Sequence, residues 1–272
     1  VTGFVQTADG VRIAYDRVGG GRPLVMVGGA GQFRAVDPAT TGLATVLGGR
    51  GFDVVVYDRP GRGDSGGEPP FGLAGELAAI RALLDLLGGR AWLYGSSSGG
   101  AIALAAAREL PGVERLFLWE VPLDEEEGTG GAEALAAVRT LVSAGDPEGV
   151  WRYWTDGMPP EWFEAVRTGP HWPLFERMAP ALEADAEALA WTQSAPRARL
   201  WGSVTAPTVV LLGSRTFPSM ADAADSVVAA LPHAERAVIP GHDHGWEPEA
   251  MAAAVLAAAL PVRGGPGANR SS

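Results

Sequence analysis

Short β-branched, apolar runs alternate with helical stretches from Val1 to Glu120, and this alternation constrains the fold more than any other feature of the chain. The runs are Val11–Tyr15, Leu24–Val27, Val54–Tyr57 and Trp92–Tyr94; the stretches are Thr40–Leu47, Leu73–Leu87 and Gly99–Leu110. Strand–helix–strand alternation predicts a mostly parallel sheet covered by helices on both faces. In Leu73–Leu87 the residues Leu73, Leu77, Ile80, Leu83, Leu84 and Leu87 recur at spacings of three and four. Glu76, Arg81 and Asp85 fall outside that stripe, and Gly88-Gly89 supplies the stop. The opening differs: Phe4–Thr7 and Val11–Val18 flank Ala8-Asp9-Gly10, and Asp-Gly is a strong hairpin signal.

Val113–Val121 reads as one more buried strand, after which the texture changes. Asp124–Glu127 is an acidic run and Gly128–Gly131 a flexible link. From 132 to 201 the pattern is helical and holds six tryptophans: Trp151, Trp154, Trp162, Trp172, Trp191 and Trp201. The alternation then resumes with a strand at Thr208–Leu212, a helix at Met220–Leu231, a strand at Arg236–Ile239 and a helix at Glu247–Leu260. The expected organisation is one α/β core in two parts, 1–122 and 202–262, interrupted by a helical insertion at 123–201. A disordered Gly- and Ser-rich tail is expected at 263–272.

Composition narrows the function. Of 272 residues 47% are hydrophobic, which excludes wholesale disorder. The formal charge is -11 and every one of the 21 basic residues is arginine, so a nucleic-acid partner is not expected. No cysteine is present, which excludes disulfides, thiolate metal sites and a cysteine nucleophile. No apolar run approaches the ~18 residues of a membrane span. No secretory signal is visible at the N-terminus, although the chain begins with Val1, and a cytoplasmic location is expected.

The sharpest motif is Gly95-Ser96-Ser97-Ser98-Gly99, which fits G-x-S-x-G with Ser97 at its centre. An apolar strand, Ala91–Tyr94, precedes it, and a helix, Ala101–Leu110, follows. So tight a strand-to-helix turn forces its central residue into a strained conformation, and small residues two before and two after relieve the crowding. The turn lifts a hydroxyl above the sheet, where the helix N-terminus favours developing negative charge. Ser98 would supply its backbone N–H to that charge. The competing reading is a plain Gly/Ser turn.

With that motif in place the sequence resembles the α/β-hydrolase superfamily over nearly its whole length. Leu24–Val27 followed by Gly28-Gly29-Ala30-Gly31 is similar to the family's strand and oxyanion loop, with Gly28 where a His is usual. The resemblance places the N–H of Ala30 beside that of Ser98 in an oxyanion hole. Asp58-Arg59-Pro60-Gly61-Arg62-Gly63-Asp64-Ser65 resembles the family's D-x-R-G-x-G-x-S turn, a structural element in which Asp58 and Arg59 are expected to make local hydrogen bonds.

Serine needs a base. His171 lies in the insertion and His233 at a helix end, whereas His242 and His244 follow the last long strand. The family's P-G-x-x-H pattern selects His244 over His242. A metal site at His242-Asp243-His244 lacks a distant third ligand and is not expected. The family usually carries its acid just after the strand matched here by Thr208–Leu212, but Ser214–Pro218 holds no carboxylate. Some members place it after the preceding strand, where this chain has Glu120. A carboxylate ending an apolar strand is costly to bury without a partner, and a histidine is a suitable one. Glu120 is therefore the expected acid, with Asp222 the alternative and a purely structural role for Glu120 the competing reading.

The resemblance makes the insertion a lid. Its tryptophans either touch a bulky apolar substrate or fill the lid's own core. Trp154 in the insertion, Gly29 in the loop, and Trp119 and Trp246 beside the expected acid and base are the candidate substrate contacts. The implied activity is a cofactor-free serine hydrolase that cleaves a carboxylic ester, lactone or thioester of an apolar or aromatic small molecule. A non-hydrolytic enzyme of the same fold, such as a cyclase or lyase of natural-product metabolism, and a non-catalytic ligand receptor are the alternatives.

Overall fold

Residues 2–124, 127 and 131–259 are described by a computed structural model. Nine strands form one sheet: β1 (Gly3–Gln6), β2 (Arg12–Gly19), β3 (Arg22–Val27), β4 (Phe52–Tyr57), β5 (Ala91–Ser96), β6 (Val113–Trp119), β7 (Thr208–Arg215), β8 (Ala234–His242) and β9 (Gly245–Trp246). Their spatial order is β1-β2-β4-β3-β5-β6-β7-β8-β9. The six strands from β4 to β8 in that order are mutually parallel. β1 and β2 form the antiparallel hairpin at one edge, closed by Gly10 N–H donating to the Thr7 carbonyl, and β9 returns antiparallel at the other.

The central strands are buried on both faces, as parallel strands between two helical layers must be. Every residue of β4 and β5 is buried. On one face the core holds residues of α2 (Leu73–Leu86), α3 (Ser98–Glu109) and α10 (Pro218–Ala230). On the other it holds residues of α1 (Pro38–Gly48) and α11 (Pro248–Ala259). Between β6 and β7 come α4 (Gly131–Ser143), α5 (Pro147–Trp154), α6 (Pro160–Thr168), α7 (Trp172–Met178), α8 (Leu182–Thr192) and α9 (Arg197–Trp201). A third apolar cluster joins Val150, Trp151, Phe163 and Leu182 of these helices to Ala30 and Phe33 after β3.

α3 packs close against the sheet, and glycines on both explain why. A Cβ on Gly99 would lie 2.5 Å from the carbonyl oxygens of Val27 and Gly28. A Cβ on Gly95 would lie 2.6 Å from Gly100 Cα. The elbow and the loop after β3 thus pack backbone to backbone.

The helical periodicity of α2 misplaces one residue. Glu76, expected outside the apolar stripe with Arg81 and Asp85, is buried because it pairs with Arg59. The two-residue β9 is also missing from the sequence reading, since so short a strand leaves no alternation to detect. Of the expected link at Gly128–Gly131, residues 128–130 lie outside the described residues and Gly131 instead begins α4; the tail at 263–272 lies outside the described residues. No helix among the described residues is long and apolar enough to cross a membrane.

Candidate active site

Four non-glycine residues have positive φ among the described residues: Ser97 (55°), Glu120 (41°), Asp243 (49°) and His244 (64°). Such conformations cost roughly 1–3 kcal/mol each and persist where surrounding structure over-determines them. All four follow the C-terminal ends of parallel strands, β5, β6 and β8, the edge where sites in open α/β sheets gather. Ser97 is held in place by its own N–H donating to the Trp119 carbonyl at 2.8 Å, and its carbonyl accepts from Gly100 at the first turn of α3.

Glu120 and His244 meet although 124 residues separate them. Glu120 Oε2 lies 2.6 Å from His244 Nδ1, and Oε1 accepts the Gly213 N–H at 2.9 Å. Both carboxylate oxygens are thereby used, and the side chain has no exposed surface. The ionised carboxylate acts as acceptor, so Nδ1 of His244 carries the proton and Nε2 is left with its lone pair. Trp119 Nε1 donates to the His244 carbonyl at 3.0 Å and fixes the backbone of the same residue. The alternative residues stand apart: Asp222 is exposed on α10, and His242 is exposed with its Nδ1 beside Asp243.

Burial alone would push the Glu120 carboxyl up. The hydrogen bonds from His244 and Gly213 outweigh it, and the group lies below the ordinary glutamate value of 4.5. A depressed folded value means that the contribution to stability is complete above 4.5 and is lost as the pH falls through the lower, folded value. The melting temperature is accordingly expected to be level near neutrality and to fall in acid below the ordinary glutamate range. Calorimetry on Glu120→Gln checks this, and its acid slope should be shallower than that of the wild type.

Neither the Ala30 N–H nor the Ser98 N–H donates to a side chain or to a loop carbonyl among the described residues. The neighbouring Gly29 N–H is instead used by Gln32 Oε1 at 2.6 Å, and Gln32 Nε2 donates to Asp37, the N-cap of α1. A Cβ on Gly29 would lie 3.1 Å from Ser97 Cβ, so this loop lies directly against the elbow.

Beneath both lies a charged cluster that sequence reasoning missed. Arg59, expected in local contacts, reaches Asp185 of α8 (2.7 Å), Glu76 of α2 (2.8 Å) and the Gly28 carbonyl (3.0 Å). Arg62 donates to the carbonyls of Gly29 (2.8 Å) and Ala30 (3.0 Å) and pairs with Asp185. Asp185 also accepts from Ser98 Oγ at 2.6 Å. All five residues are buried. Burial by itself would raise the Asp185 carboxyl, but Arg59 and Arg62 outweigh it and hold the group below its usual range. The sequence carries little signal for Asp185, which stands between two further acids in Glu183-Ala184-Asp185-Ala186-Glu187. Asp58, by contrast, does bond nearby, accepting from the N–H of Asp64 and from Arg34.

Ser97 and His244 both line a cavity of about 670 Å³. Its apolar wall includes Leu123, Val138, Trp154, Met158, Phe217 and Met220, and its polar wall includes Asp124, Asp156 and Gln193. The Ser97 hydroxyl makes no hydrogen bond to another described residue. Of the tryptophans expected to touch substrate, only Trp154 lines this cavity. Trp119 has no exposed surface and serves instead to hold the His244 backbone. Trp246 packs edge-on against Tyr94 at 6.0 Å, away from the cavity. Gly29 supports Ser97 from the side rather than lining the cavity. Two of the other insertion tryptophans fill packing space: Trp201 is fully buried, and Trp151 is buried with its Nε1 bonded to the Phe175 carbonyl; Trp162, Trp172 and Trp191 are half-buried. No group of three His, Asp or Glu able to hold a metal ion occurs among the described residues.

Residues 24–258 match the model of the alpha/beta hydrolase family, most of the chain's length. The chain belongs to that family. An alpha/beta hydrolase from Sphaerobacter thermophilus is 29% identical, with a TM-score of 0.81 over 95% of this chain and 100% of that one. An esterase from Thermogutta terrifontis is 21% identical, with a TM-score of 0.71 over 95% and 98% of the two chains. The enol-lactonase from Burkholderia xenovorans is 17% identical, with a TM-score of 0.65 over 94% and 98%. The last two share the fold. No curated protein matches the sequence.

Proposed function

We propose that this alpha/beta hydrolase is a serine-type enzyme that cleaves a carboxylic ester, lactone or thioester of an apolar small molecule. The observation that carries the reading is His244, set between Glu120 at 2.6 Å on one side and, on the other, the cavity it shares with Ser97. The esterase and lactonase activities of proteins with the same fold are consistent with it.

In this mechanism the Ser97 hydroxyl attacks the substrate carbonyl while His244 Nε2 takes its proton, and Glu120 stabilises the resulting imidazolium. The contact between Ser97 and His244 closes when substrate binds, as catalytic hydrogen bonds commonly do. The N–H groups of Ala30 and Ser98 receive the oxyanion, and the dipole of α3 adds to them. The tetrahedral adduct collapses, the leaving alcohol or thiol takes the proton from His244, and an acyl group remains on Ser97. Water, deprotonated by His244, then attacks the acyl-enzyme and frees the acid. The helices between β6 and β7 act as a lid that supplies most of the cavity wall and keeps bulk water away.

A fluorophosphonate probe tests the nucleophile, and p-nitrophenyl acyl esters test turnover. Labelling mapped to Ser97 together with release of acid supports the proposal. Labelling without turnover points to non-hydrolytic chemistry, and no labelling at all overturns it.

The cavity also bears on substrate charge. Asp124 and Asp156 line it, and no arginine does among the described residues. A carboxylate on the acyl chain therefore meets like charge and finds no cation. The two aspartates are exposed, so screening limits the effect to about 1.4 kcal/mol, or roughly tenfold. p-Nitrophenyl 4-methylvalerate is expected to show about tenfold higher kcat/KM than the isosteric hemisuccinate ester, a gap that narrows in high salt.

A further inference from the structure

The inserted helices supply a residue to the site's electrostatics as well as a wall to its cavity. We infer that Asp185 of α8 is a positioning residue for oxyanion stabilisation, holding the Ser98 and Ala30 donors in register through its contacts with Ser98 Oγ, Arg59 and Arg62. This rests on the serine-hydrolase reading above.

An oxyanion hole works only if its donors are fixed at hydrogen-bond distance from where the charge develops, before the reaction begins. Here one donor belongs to a helix and the other to a loop that contains Gly28, Gly29 and Gly31, so each needs an external anchor. Arg59 pins the Gly28 carbonyl, and Arg62 pins those of Gly29 and Ala30. The Gly29 carbonyl and the Ala30 N–H belong to one trans peptide unit and point in opposite directions. Anchoring that carbonyl on Arg62 therefore aims the Ala30 N–H away from the arginine. The same Asp185 carboxylate receives Arg59 and Ser98 Oγ on Oδ1 and Arg62 on Oδ2. One carboxylate thus ties the residue that carries the helix donor to the two guanidinium groups that orient the loop donor.

The charge balance explains why an acid is needed there. Arg59 and Arg62 are both fully enclosed, and Glu76 contacts only Arg59. Without Asp185 the second guanidinium would be buried with no counter-ion, beside carbonyls that must not move. Glu76 completes the pairing from α2, which makes the assembly neutral and joins the core, the elbow and the insertion.

Ser98→Ala tests the link, since it removes the hydroxyl that Asp185 holds and keeps the backbone N–H that meets the oxyanion. The readouts are kcat and KM on p-nitrophenyl butyrate, and inhibition by phenylboronic acid, whose adduct with Ser97 places an oxygen in the oxyanion position. Outright loss of a donor costs on the order of a hundredfold to a thousandfold, so loosening one is expected to lower kcat about tenfold. KM should stay within about twofold, and boronate inhibition should weaken by the same factor as kcat/KM falls. Asp185→Asn, if it folds, should show the larger loss of the two in the same pattern; if it does not, Ser98→Ala decides alone. Wild-type kcat and boronate affinity in Ser98→Ala would overturn the inference, as would a rise in KM at constant kcat, which would make Ser98 a cavity-shaping residue. Failure of the wild type itself to cleave the ester or bind the boronate would instead overturn the serine-hydrolase reading.

Discussion

Ser97→Ala is expected to lower ester turnover by about 10⁴- to 10⁶-fold while leaving the melting temperature unchanged. The size follows from the chemistry: without the hydroxyl no acyl-enzyme forms, and what remains is the contribution of binding and of the oxyanion donors to direct attack by water. The unchanged stability follows from the backbone. Serine and alanine meet the same cost at φ 55°, and the anchoring bond from the Ser97 N–H to the Trp119 carbonyl does not involve the side chain. Ser97→Gly separates the two properties further. Glycine adopts this conformation without strain, so the variant should be equally inactive and more stable by about 1 kcal/mol. Burst-free kinetics on p-nitrophenyl esters and calorimetry on both variants check the pair. A Ser97→Ala enzyme that keeps a tenth of wild-type turnover would remove Ser97 from the mechanism.

The elbow and the alternation that frames it were readable because both are local. A strand, a small-residue turn and a helix lie within Ala91–Glu109, and the periodicities of two and of 3.6 are properties of neighbouring residues. His244 was reachable through the resemblance because it stands at the fixed P-G-x-x-H spacing from Pro240-Gly241 near the end of β8. Glu120 required an energetic argument, namely that a carboxylate ending an apolar strand needs a partner, and β6 and β8 bring that partner from 124 residues away. The buried arginines defeated the same kind of reasoning. Arg59 and Arg62 sit in a Gly-rich turn that reads as a local structural element, and their acids come from α2 and from α8 of the insertion. Glu76 looked solvated because helical periodicity shows which positions share a face; it cannot show that a second, polar partner covers another face. The roles of the tryptophans stayed open for a related reason. An indole contributes the same apolar area in a helical core as in a binding site, and only its neighbours distinguish the two.

The placement of the acid carries the second large effect. Glu120→Gln is expected to reduce kcat by about 10³- to 10⁴-fold, and Asp222→Asn to leave it near wild type. The two side chains Glu and Gln have the same shape, so the loss does not come from packing. Gly213 donates its N–H to Oε1, and that donor requires an acceptor in either variant. The glutamine must therefore keep its carbonyl oxygen toward Gly213 and turn its amide NH₂ toward His244 Nδ1. An NH₂ there demands a lone pair from Nδ1, so the ring proton moves to Nε2. Nε2 is the atom that has to accept the Ser97 proton, and in that tautomer it cannot. Asp222 offers no comparable route, because it is exposed on α10 and reaches no part of His244. Proton NMR of the His244 ring, read alongside kcat for both variants, separates a tautomer change from a folding defect. A fully active Glu120→Gln beside an inactive Asp222→Asn would move the acid to α10 and require His244 to swing away from the 2.6 Å contact seen here.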